Sequence, residues 1–367
     1  MKKTSRIVLA TGFLLIIMLP GFLFQFFGNP EENTREKREL AVFPDLTKTP
    51  VSEIPSKLEA YYNDHLPFRS ELVATCARLD YALGASTEDV LVGKQGWLFY
   101  RKKSDGDPMG SYMGRAVLSE TEVAAIGETL CEFNDYLADQ GISLVVMIAP
   151  NKERVYSEYL PDGYGQPAEV CPAQQVIDWL HENTGVKAIW LYQDLLNAKE
   201  QMQGEQFYYK LDSHWNPLGA YIGAQALMKA CGIELSETDE VSISWEDSLK
   251  TTRDLYDMMG RTDRAFDRLY RIDNSRNTFS IGDIMALEEY YYGPAPFHLD
   301  EGDERKAVMI RDSFGTALVH YFTALFQDST SYHIANYTRE ALMAEKPRLV
   351  VLELVERNVT RIPEIGL

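Results

Sequence analysis

The sequence predicts an α/β domain in which a mostly parallel sheet carries helices on both faces. Two observations predict this fold. From residue 119 onward, segments with apolar residues at helical spacing alternate with short apolar runs. The runs at 143–150, 306–310 and 348–356 are largely apolar, which is typical of strands buried on both faces. Alternation of this kind places helices on both sides of a parallel sheet.

The individual elements follow in chain order. Residues 51–90 have a helical pattern, and 92–100 a hairpin pattern with a tight glycine-containing turn. Ser119 and Glu122 form a capping box that starts a helix, and Gly141 ends it. The remaining predicted elements are helix 172–185, strand 186–192, helix 217–231, helix 315–326, an edge-like strand at 331–336 and helix 338–346.

The N-terminus predicts a membrane anchor. Lys2, Lys3 and Arg6 precede an uncharged stretch over 7–27, which as a helix would span about 31 Å, the thickness of a bilayer core. The cationic end is expected in the cytoplasm and the acidic body outside the membrane. A cleaved signal peptide is the alternative, but the stretch is longer than usual and offers no small-residue cleavage site.

We therefore divide the chain into three parts. Residues 1–28 are a cytoplasmic tip and anchor, 29–90 a membrane-proximal tether with a helical segment, and 91–367 the main domain. Within that domain, 233–305 is less regular and rich in acidic and aromatic residues, which indicates an insertion or a lid. The net charge of −19 argues against nucleic acid as a partner, because phosphates need a basic surface.

Two short motifs contain candidate catalytic residues. In the first, Asp212 and His214 precede a helix start at Asn216 and Pro217. This pattern fits a metal pair, half of a catalytic triad, or a helix cap. In the second, an apolar strand leads to Ser313 and a helix follows at once, a position that suits either a nucleophile or a helix cap.

Taken together, the two motifs favour a triad. A serine hydroxyl needs a base to accept its proton, which His214 can supply while Asp212 holds the other ring nitrogen. A binuclear metal site needs several further ligands. We therefore predict no metal, because no second motif accompanies the other histidines, which are His65, His181, His298, His320 and His333.

Five segments together resemble the DHHW family, which is related to the alginate O-acetyltransferases of the AlgJ/AlgX type within the SGNH hydrolases. They are DSHW (212–215), RDSFG (311–315), DHLPFRS (64–70), GWLFY (96–100) and ELVERN (353–358). The resemblance covers nearly the whole chain after the anchor. It implies an SGNH-like (flavodoxin-like) catalytic domain over 91–367.

The resemblance also implies a Ser-His-Asp triad, which carries over to Asp212, His214 and Ser313. Ser213 departs from the family pattern, where a second histidine stands. Five polar or aromatic residues near the predicted sheet edge are candidates for substrate binding, with ordinary loop polarity or packing as the alternative. These candidates are Asn151, Lys152, Trp215, Arg311 and Arg357.

The predicted function is O-acetylation of a cell-surface or secreted polysaccharide by an anchored, extracytoplasmic enzyme. No resident cofactor is expected, since a small acyl ester or a partner would supply the acetyl group. Acetyl-CoA is cytoplasmic, so the resemblance implies a membrane-bound O-acyltransferase as that partner. Two alternatives stay open: an O-acetyl esterase with the same triad, and a catalytically silent polysaccharide-binding or assembly protein.

Overall fold

The structure, a computed structural model, forms two compact units, Met1–Leu83 and Gly84–Leu367. It describes residues 9, 11–14, 18, 19, 22, 41–65, 69–233, 242–249, 251–261, 263–273, 294–300 and 302–367.

The first unit contains the predicted membrane-proximal helices. These are α1 (Ile54–Asp64) and α2 (Arg69–Ala82). The backbone N–H of Ala41 donates to Asp64 Oδ2 at 2.8 Å, which fixes the chain before α1 to its last residue. Most of the predicted anchor at 7–27 lies outside the described residues. Among those that are described, no helix has the length and apolar character needed to cross a bilayer.

The second unit contains ten strands and nine helices among the described residues. Its strands are β1 (Val90–Val92), β2 (Leu98–Tyr100), β3 (Ser143–Ala149), β4 (Lys187–Trp190), β5 (Ser242–Ser248), β6 (Asp267–Asp273), β7 (Ala295–His298), β8 (Ala307–Arg311), β9 (Asp328–His333) and β10 (Leu349–Val355). Its helices are α3 (Pro108–Tyr112), α4 (Glu120–Ala138), α5 (Lys152–Val155), α6 (Pro172–Asn183), α7 (Tyr192–Gln201), α8 (Pro217–Cys231), α9 (Asp254–Met258), α10 (Gly315–Thr323) and α11 (Arg339–Ala344).

A six-stranded sheet forms the centre of this unit. Its strand order is β4-β3-β10-β8-β9-β7, and all neighbours are parallel except β7 and β9. Alternate strand residues face opposite sides, as the pleat requires. Val145 and Met147 of β3 join the core formed with α8 and α10, whereas Val146 and Ile148 join the core formed with α4 and α6. The predicted parallel sheet with helices on both faces is confirmed.

One prediction at the far side of the sheet is wrong. The strand predicted as an edge at 331–336 corresponds to β9, which has a neighbour on each side. The edge is β7, which lies within 233–305, and the interpretation of that segment as an insertion or a lid stays a prediction. Pro296 in β7 has no backbone N–H, and an edge strand tolerates this because one side needs no partner.

Other short elements agree with the sequence. The capping box of α4 is present, with Ser119 accepting from the amide of Glu122 and the Glu122 side chain accepting from the amide of Ser119. The hairpin of β1 and β2 closes through Gln95 and Gly96, with φ of 54° and 76°. Positive φ costs glycine little, which explains why the turn carries one.

The sheet order decides where the site lies. Strand β10 runs between β3 and β8, and the carboxyl ends of all three meet at one edge. The residues that follow these ends are Asn151, Asp312 and Glu356. Because ligands of open α/β sheets bind outside the carboxyl ends of the strands, this edge is the expected place for a site.

Candidate active site

The three predicted catalytic residues lie together at this edge. Ser313 follows the end of β8, and Asp212 and His214 lie in the loop before α8. His214 Nε2 is 2.9 Å from Ser313 Oγ, and His214 Nδ1 is 2.7 Å from Asp212 Oδ1. The imidazole therefore bridges a hydroxyl and a carboxylate, as proton transfer from a serine nucleophile requires. The catalytic role of the three residues stays a prediction that this geometry supports.

Helix capping accounts for neither motif by itself. Asn216 caps α8, since its Oδ1 accepts from two first-turn amides at 3.0 and 3.1 Å. Asp212 is therefore not needed as the cap. Phe314 occupies the cap position of α10, and the hydroxyl of Ser313 bonds with His214 instead. The cap predicted at Asn216 is present beside the catalytic arrangement and does not replace it.

Electrostatics suit His214 to act as a base. Burial alone would lower the pKa of His214, but the charge and hydrogen bond of Asp212, followed by the charge of Asp254, raise it above the usual value. Burial alone would raise the pKa of Asp212, but His214 and the amide of Asp254 lower it below the usual range. Asp212 is thus ionised, and its negative charge favours the protonated form of His214.

A buried lysine holds the loop that carries Asp212 and His214. Lys152 Nζ donates to the carbonyl oxygens of Asp212 and Lys210 at 2.8 and 3.0 Å. Asp267 Oδ2 accepts from the amide of Leu211 at 3.0 Å. Burial lowers the pKa of Lys152 to about 8, although nearby carboxylates oppose that shift. The lysine predicted to bind substrate therefore fixes backbone carbonyls.

Asp312 holds the loop that carries Ser313. Its Oδ1 accepts from the amide of Phe314 at 2.8 Å. Its Oδ2 accepts from the amide of Val355 at 2.8 Å and from Asn358 Nδ2 at 2.7 Å. Both oxygens of one carboxylate thus tie the Ser313 loop to the end of β10, which limits the freedom of the hydroxyl before any substrate binds.

The start of α10 packs closely on β8 and β10. A Cβ at Gly315 would lie 2.5 Å from both Arg311 Cβ and Glu353 Oε2, so no side chain fits there without a shift. Arg311 is 1% exposed, and it donates to Ser331 Oγ at 3.1 Å and to Thr316 Oγ1 at 2.9 Å. Its guanidinium therefore braces the serine loop from inside the protein.

Two further predicted binding residues also contact Phe314. Trp215 Nε1 donates to the carbonyl oxygen of Phe314 at 2.8 Å, which links the two motifs directly. The Arg357 guanidinium lies 5.2 Å from the ring centres of Phe314 and Tyr100, within cation–π range. Its Nε is 3.9 Å from Asp105 Oδ2.

Buried ionic groups join the loops after β3 and β10. Glu356 Oε2 accepts from the amide of Asn151 at 3.0 Å, and Glu356 Oε1 accepts from Ser111 Oγ at 3.1 Å and from Arg154 Nε at 3.0 Å. Both side chains of the Arg154–Glu356 pair are at most 2% exposed. The side-chain amide of Asn151 is buried and has no hydrogen-bond partner among the described residues.

Replacing Glu356 with alanine is expected to lower the free energy of unfolding by about 3–5 kcal/mol, because it leaves the Arg154 charge buried and unpaired. Urea denaturation of the full chain measures the change. Glu364→Ala, which removes an exposed carboxylate from the same segment, is the control and should change stability by under about 0.5 kcal/mol. Equal effects of the two variants would contradict the structural role of Glu356.

The structure adds one acidic residue that sequence reasoning missed. Asp254, at the start of α9, lies next to the loop of Asp212 and His214. Its Oδ2 accepts from Ser213 Oγ at 2.5 Å and is 3.6 Å from His214 Nδ1. The only sequence signal was its place in an acidic segment, which does not reveal a contact across about forty residues of chain.

A cleft of about 410 Å³ opens onto Ser313 and His214. Of the five predicted substrate-binding residues, Trp215 lines this cleft, and the other four do not belong to the described residues that line it. The walls mix apolar and charged side chains, among them Tyr209, Pro217, Phe314, Arg253, Asp254 and Asp257.

The geometry also bears on the metal alternative. Asp212, His214 and Asp254 present three possible ligand atoms within 4.8 Å of one another. However, the oxygens of Asp212 already accept from the His214 ring and from the Asp254 amide, and those of Asp254 accept from Ser213. Carboxylates engaged by N–H and O–H donors fit a hydrogen-bonded triad better than a metal centre.

A parallel α/β sheet with serine, histidine and aspartate joined at its carboxyl edge is the arrangement of SGNH hydrolase-like proteins. The chain belongs to the family described as "SGNH hydrolase-like domain, acetyltransferase AlgX", whose model matches residues 90–347. This match confirms the family resemblance inferred from the sequence motifs.

Curated relatives support the same assignment. The "Probable alginate O-acetylase AlgJ" of Pseudomonas putida is 29% identical over 236 residues, which are 63% of this chain and 54% of that protein. The protein of the same name in Pseudomonas aeruginosa is 30% identical over 201 residues, 53% of this chain and 46% of that protein. The chain thus spans about half the length of these relatives.

Solved structures share the fold. PatB1 of Bacillus cereus, solved with a sulfonyl adduct, has a TM-score of 0.53 and 16% identity over 76% of this chain and 100% of that chain. A DHHW family protein of Eubacterium siraeum has a TM-score of 0.53 and 16% identity over 77% of this chain and 97% of that chain. At this level of identity the likeness concerns the fold alone.

Proposed function

We propose that this chain is an O-acetyltransferase that modifies a polysaccharide through an acetyl-serine intermediate at Ser313. The observation that carries the proposal is the continuous line of short contacts from Asp212 to His214 to Ser313, at 2.7 and 2.9 Å. The family description as an acetyltransferase and the names of the AlgJ relatives support the reaction class.

The proposed reaction has two halves. Ser313 Oγ attacks the carbonyl carbon of an acyl ester while His214 Nε2 takes the hydroxyl proton. The tetrahedral intermediate then collapses, the donor's alcohol leaves with that proton, and the acetyl group stays on the serine. A sugar hydroxyl next attacks the acetyl-serine and gives its proton to His214, which returns it to Ser313 Oγ as the new ester departs.

The proposal includes a place and a partner. We place the catalytic domain outside the membrane, with the N-terminus in the cytoplasm, because the stretch at 7–27 has the length and charge flank of an uncleaved anchor. The enzyme would then need an acetyl donor delivered across the membrane, which is the task of a membrane-bound O-acyltransferase. No resident cofactor takes part in this scheme.

The cleft charge predicts which acceptor is preferred. Arg253 is the one cation among the described cleft residues. It is already engaged, since its Nε is 3.3 Å from Asp257 Oδ1 and its Nη1 donates to the carbonyl oxygen of Asp263 at 3.0 Å. We expect a neutral oligosaccharide to accept acetyl groups about tenfold faster than a uronate oligosaccharide at low salt, because the carboxylates repel a like charge.

Transfer to neutral and uronate oligosaccharides, measured at low and high ionic strength, tests this expectation. Salt should speed the uronate reaction by screening repulsion and leave the neutral reaction unchanged. A uronate that reacts faster than the neutral acceptor and slows with salt would contradict it. Acetate release in the same assay measures hydrolysis, and release faster than transfer would show an esterase.

A further inference from the structure

A second carboxylate reaches the proposed triad from the segment between the His214 and Ser313 motifs. The amide of Asp254 donates to Asp212 Oδ2 at 2.8 Å. In return, Asp254 Oδ1 accepts from the amide of Ser213 at 2.7 Å, and Asp254 Oδ2 accepts from Ser213 Oγ at 2.5 Å. Hydrogen bonds thus run in both directions between Asp254 and the adjacent residues Asp212 and Ser213.

The same carboxylate lies on the side of the imidazole that faces away from the nucleophile. Asp254 Oδ2 is the second carboxylate oxygen near His214 Nδ1, at 3.6 Å, after Asp212 Oδ1 at 2.7 Å. Ser213 Oγ, which donates to Asp254 Oδ2, is 3.4 Å from the same ring nitrogen.

We propose that Asp254 is a positioning residue, whose carboxylate orients the loop of His214 through Ser213 and adds a second negative charge beside His214 Nδ1. Its effect on the rate rests on the proposed acyl transfer, whereas its effect on the imidazole does not. If Asp254 only anchored the loop, its charge would not change the pKa of His214. The pKa of His214 therefore separates a structural role from the proposed one.

The charges around His214 agree with this role. Asp212 and Asp254 both favour the imidazolium, while the guanidinium of Arg357 opposes it. Burial, and then the charge of Asp212, raises the pKa of Asp254 itself, as expected for two carboxylates that share one small space. Asp254 therefore acts beside Asp212 as part of one charged group around the imidazole.

The test is a histidine NMR titration of the full chain, with the His214 signal assigned by its loss in His214→Ala. In Asp254→Asn the pKa of His214 should fall, because a negative charge beside the imidazolium is removed. Asp247→Asn, which removes an exposed carboxylate from β5 in the same segment, should leave it unchanged. If the asparagine variant folds poorly, Asp254→Ser is used instead, and the pKa of His214 should again fall.

Acylation by an activated acetyl ester provides the second readout. The rate is measured as a function of pH. In Asp254→Asn the rate on the high-pH plateau should fall on the order of 10- to 100-fold, the scale of a misplaced catalytic group. The rising part of the profile should move to lower pH. Ser213→Ala keeps the negative charge of Asp254 but removes the hydroxyl that binds it. This variant should lower the plateau rate and leave the rising part of the pH–rate profile at the same pH.

An unchanged pKa of His214 in both Asp254 variants would overturn the proposal. The titration does not depend on activity, so it decides the role of Asp254 even if the wild type forms no acetyl-enzyme. A wild-type chain that forms no acetyl-enzyme would count against the proposed function and not against the role of Asp254.

Discussion

Ser313→Ala is expected to remove the acetyl-enzyme completely. After brief exposure to an activated acetyl ester, the intact mass of the wild-type chain should rise by a single acetyl group. The alanine variant has no hydroxyl at the position that His214 Nε2 contacts at 2.9 Å, so no adduct should form. His214→Ala keeps the hydroxyl but loses its base, so labelling should slow by roughly 10⁴-fold or more.

Ser329→Ala is the matched control for this experiment. Ser329 is buried on the neighbouring strand β9, and its hydroxyl has no hydrogen-bond partner among the described residues. This variant should label like the wild type. Equal labelling of the wild type, Ser313→Ala and His214→Ala would show a surface reaction, and it would move the interpretation toward a silent polysaccharide-binding protein.

The central sheet was predictable because its strands are continuous runs of apolar residues in the sequence. β3, β8 and β10 are buried on both faces, and few soluble structures other than a covered parallel sheet place such runs in alternation with amphipathic helices. The edge was not predictable in the same way. β7 is four residues long and contains Pro296, so its sequence has neither apolar periodicity nor a full set of amide donors.

The three residues of the proposed triad could be found in the sequence, whereas the residues that hold them in place could not. Asp212, His214 and Ser313 are recognisable because acid–base chemistry requires particular side chains in particular local settings. Asp254 has no such signature, since it reaches the site through packing of a distant segment. Lys152 is a related case, because its place after a strand suggests substrate binding, whereas only the structure reveals that it donates to the carbonyl oxygens of Asp212 and Lys210.

These supporting contacts show how the site is built. Lys152, Asp267 and Asp254 each fix a different point of the loop that carries Asp212 and His214, while Asp312 fixes the loop of Ser313. Each contact uses a charged side chain on backbone amides or carbonyls, and three of the four side chains, those of Lys152, Asp267 and Asp312, are buried. Such contacts reduce the motion of the reacting groups before the substrate arrives, which lowers the entropic part of the barrier.

Asp212→Asn is expected to slow acylation by about 10⁴-fold while leaving the fold intact. Asparagine has one accepting oxygen where the carboxylate has two, and the Asp254 amide already donates to Asp212 Oδ2 at 2.8 Å. With the asparagine oxygen on that amide, its NH2 group replaces Oδ1 beside His214 Nδ1 and donates to it, so the imidazole is held with Nδ1 unprotonated and the proton on Nε2. A histidine in the other tautomer cannot take the proton of Ser313. Pre-steady-state acetyl labelling at saturating ester measures the rate, with Asp247→Asn as the control for a lost carboxylate.

The pH dependence separates loss of the charge from loss of the fold. Neutral His214 is the base, so the rate rises with pH through its pKa, and a raised pKa places the wild-type limb above about pH 6.5. Removing the Asp212 charge removes the main cause of that rise, so the residual activity of Asp212→Asn should show a limb at lower pH. A limb that stays in place, or a rate within tenfold of the wild type, would mean that Asp212 does not orient the base.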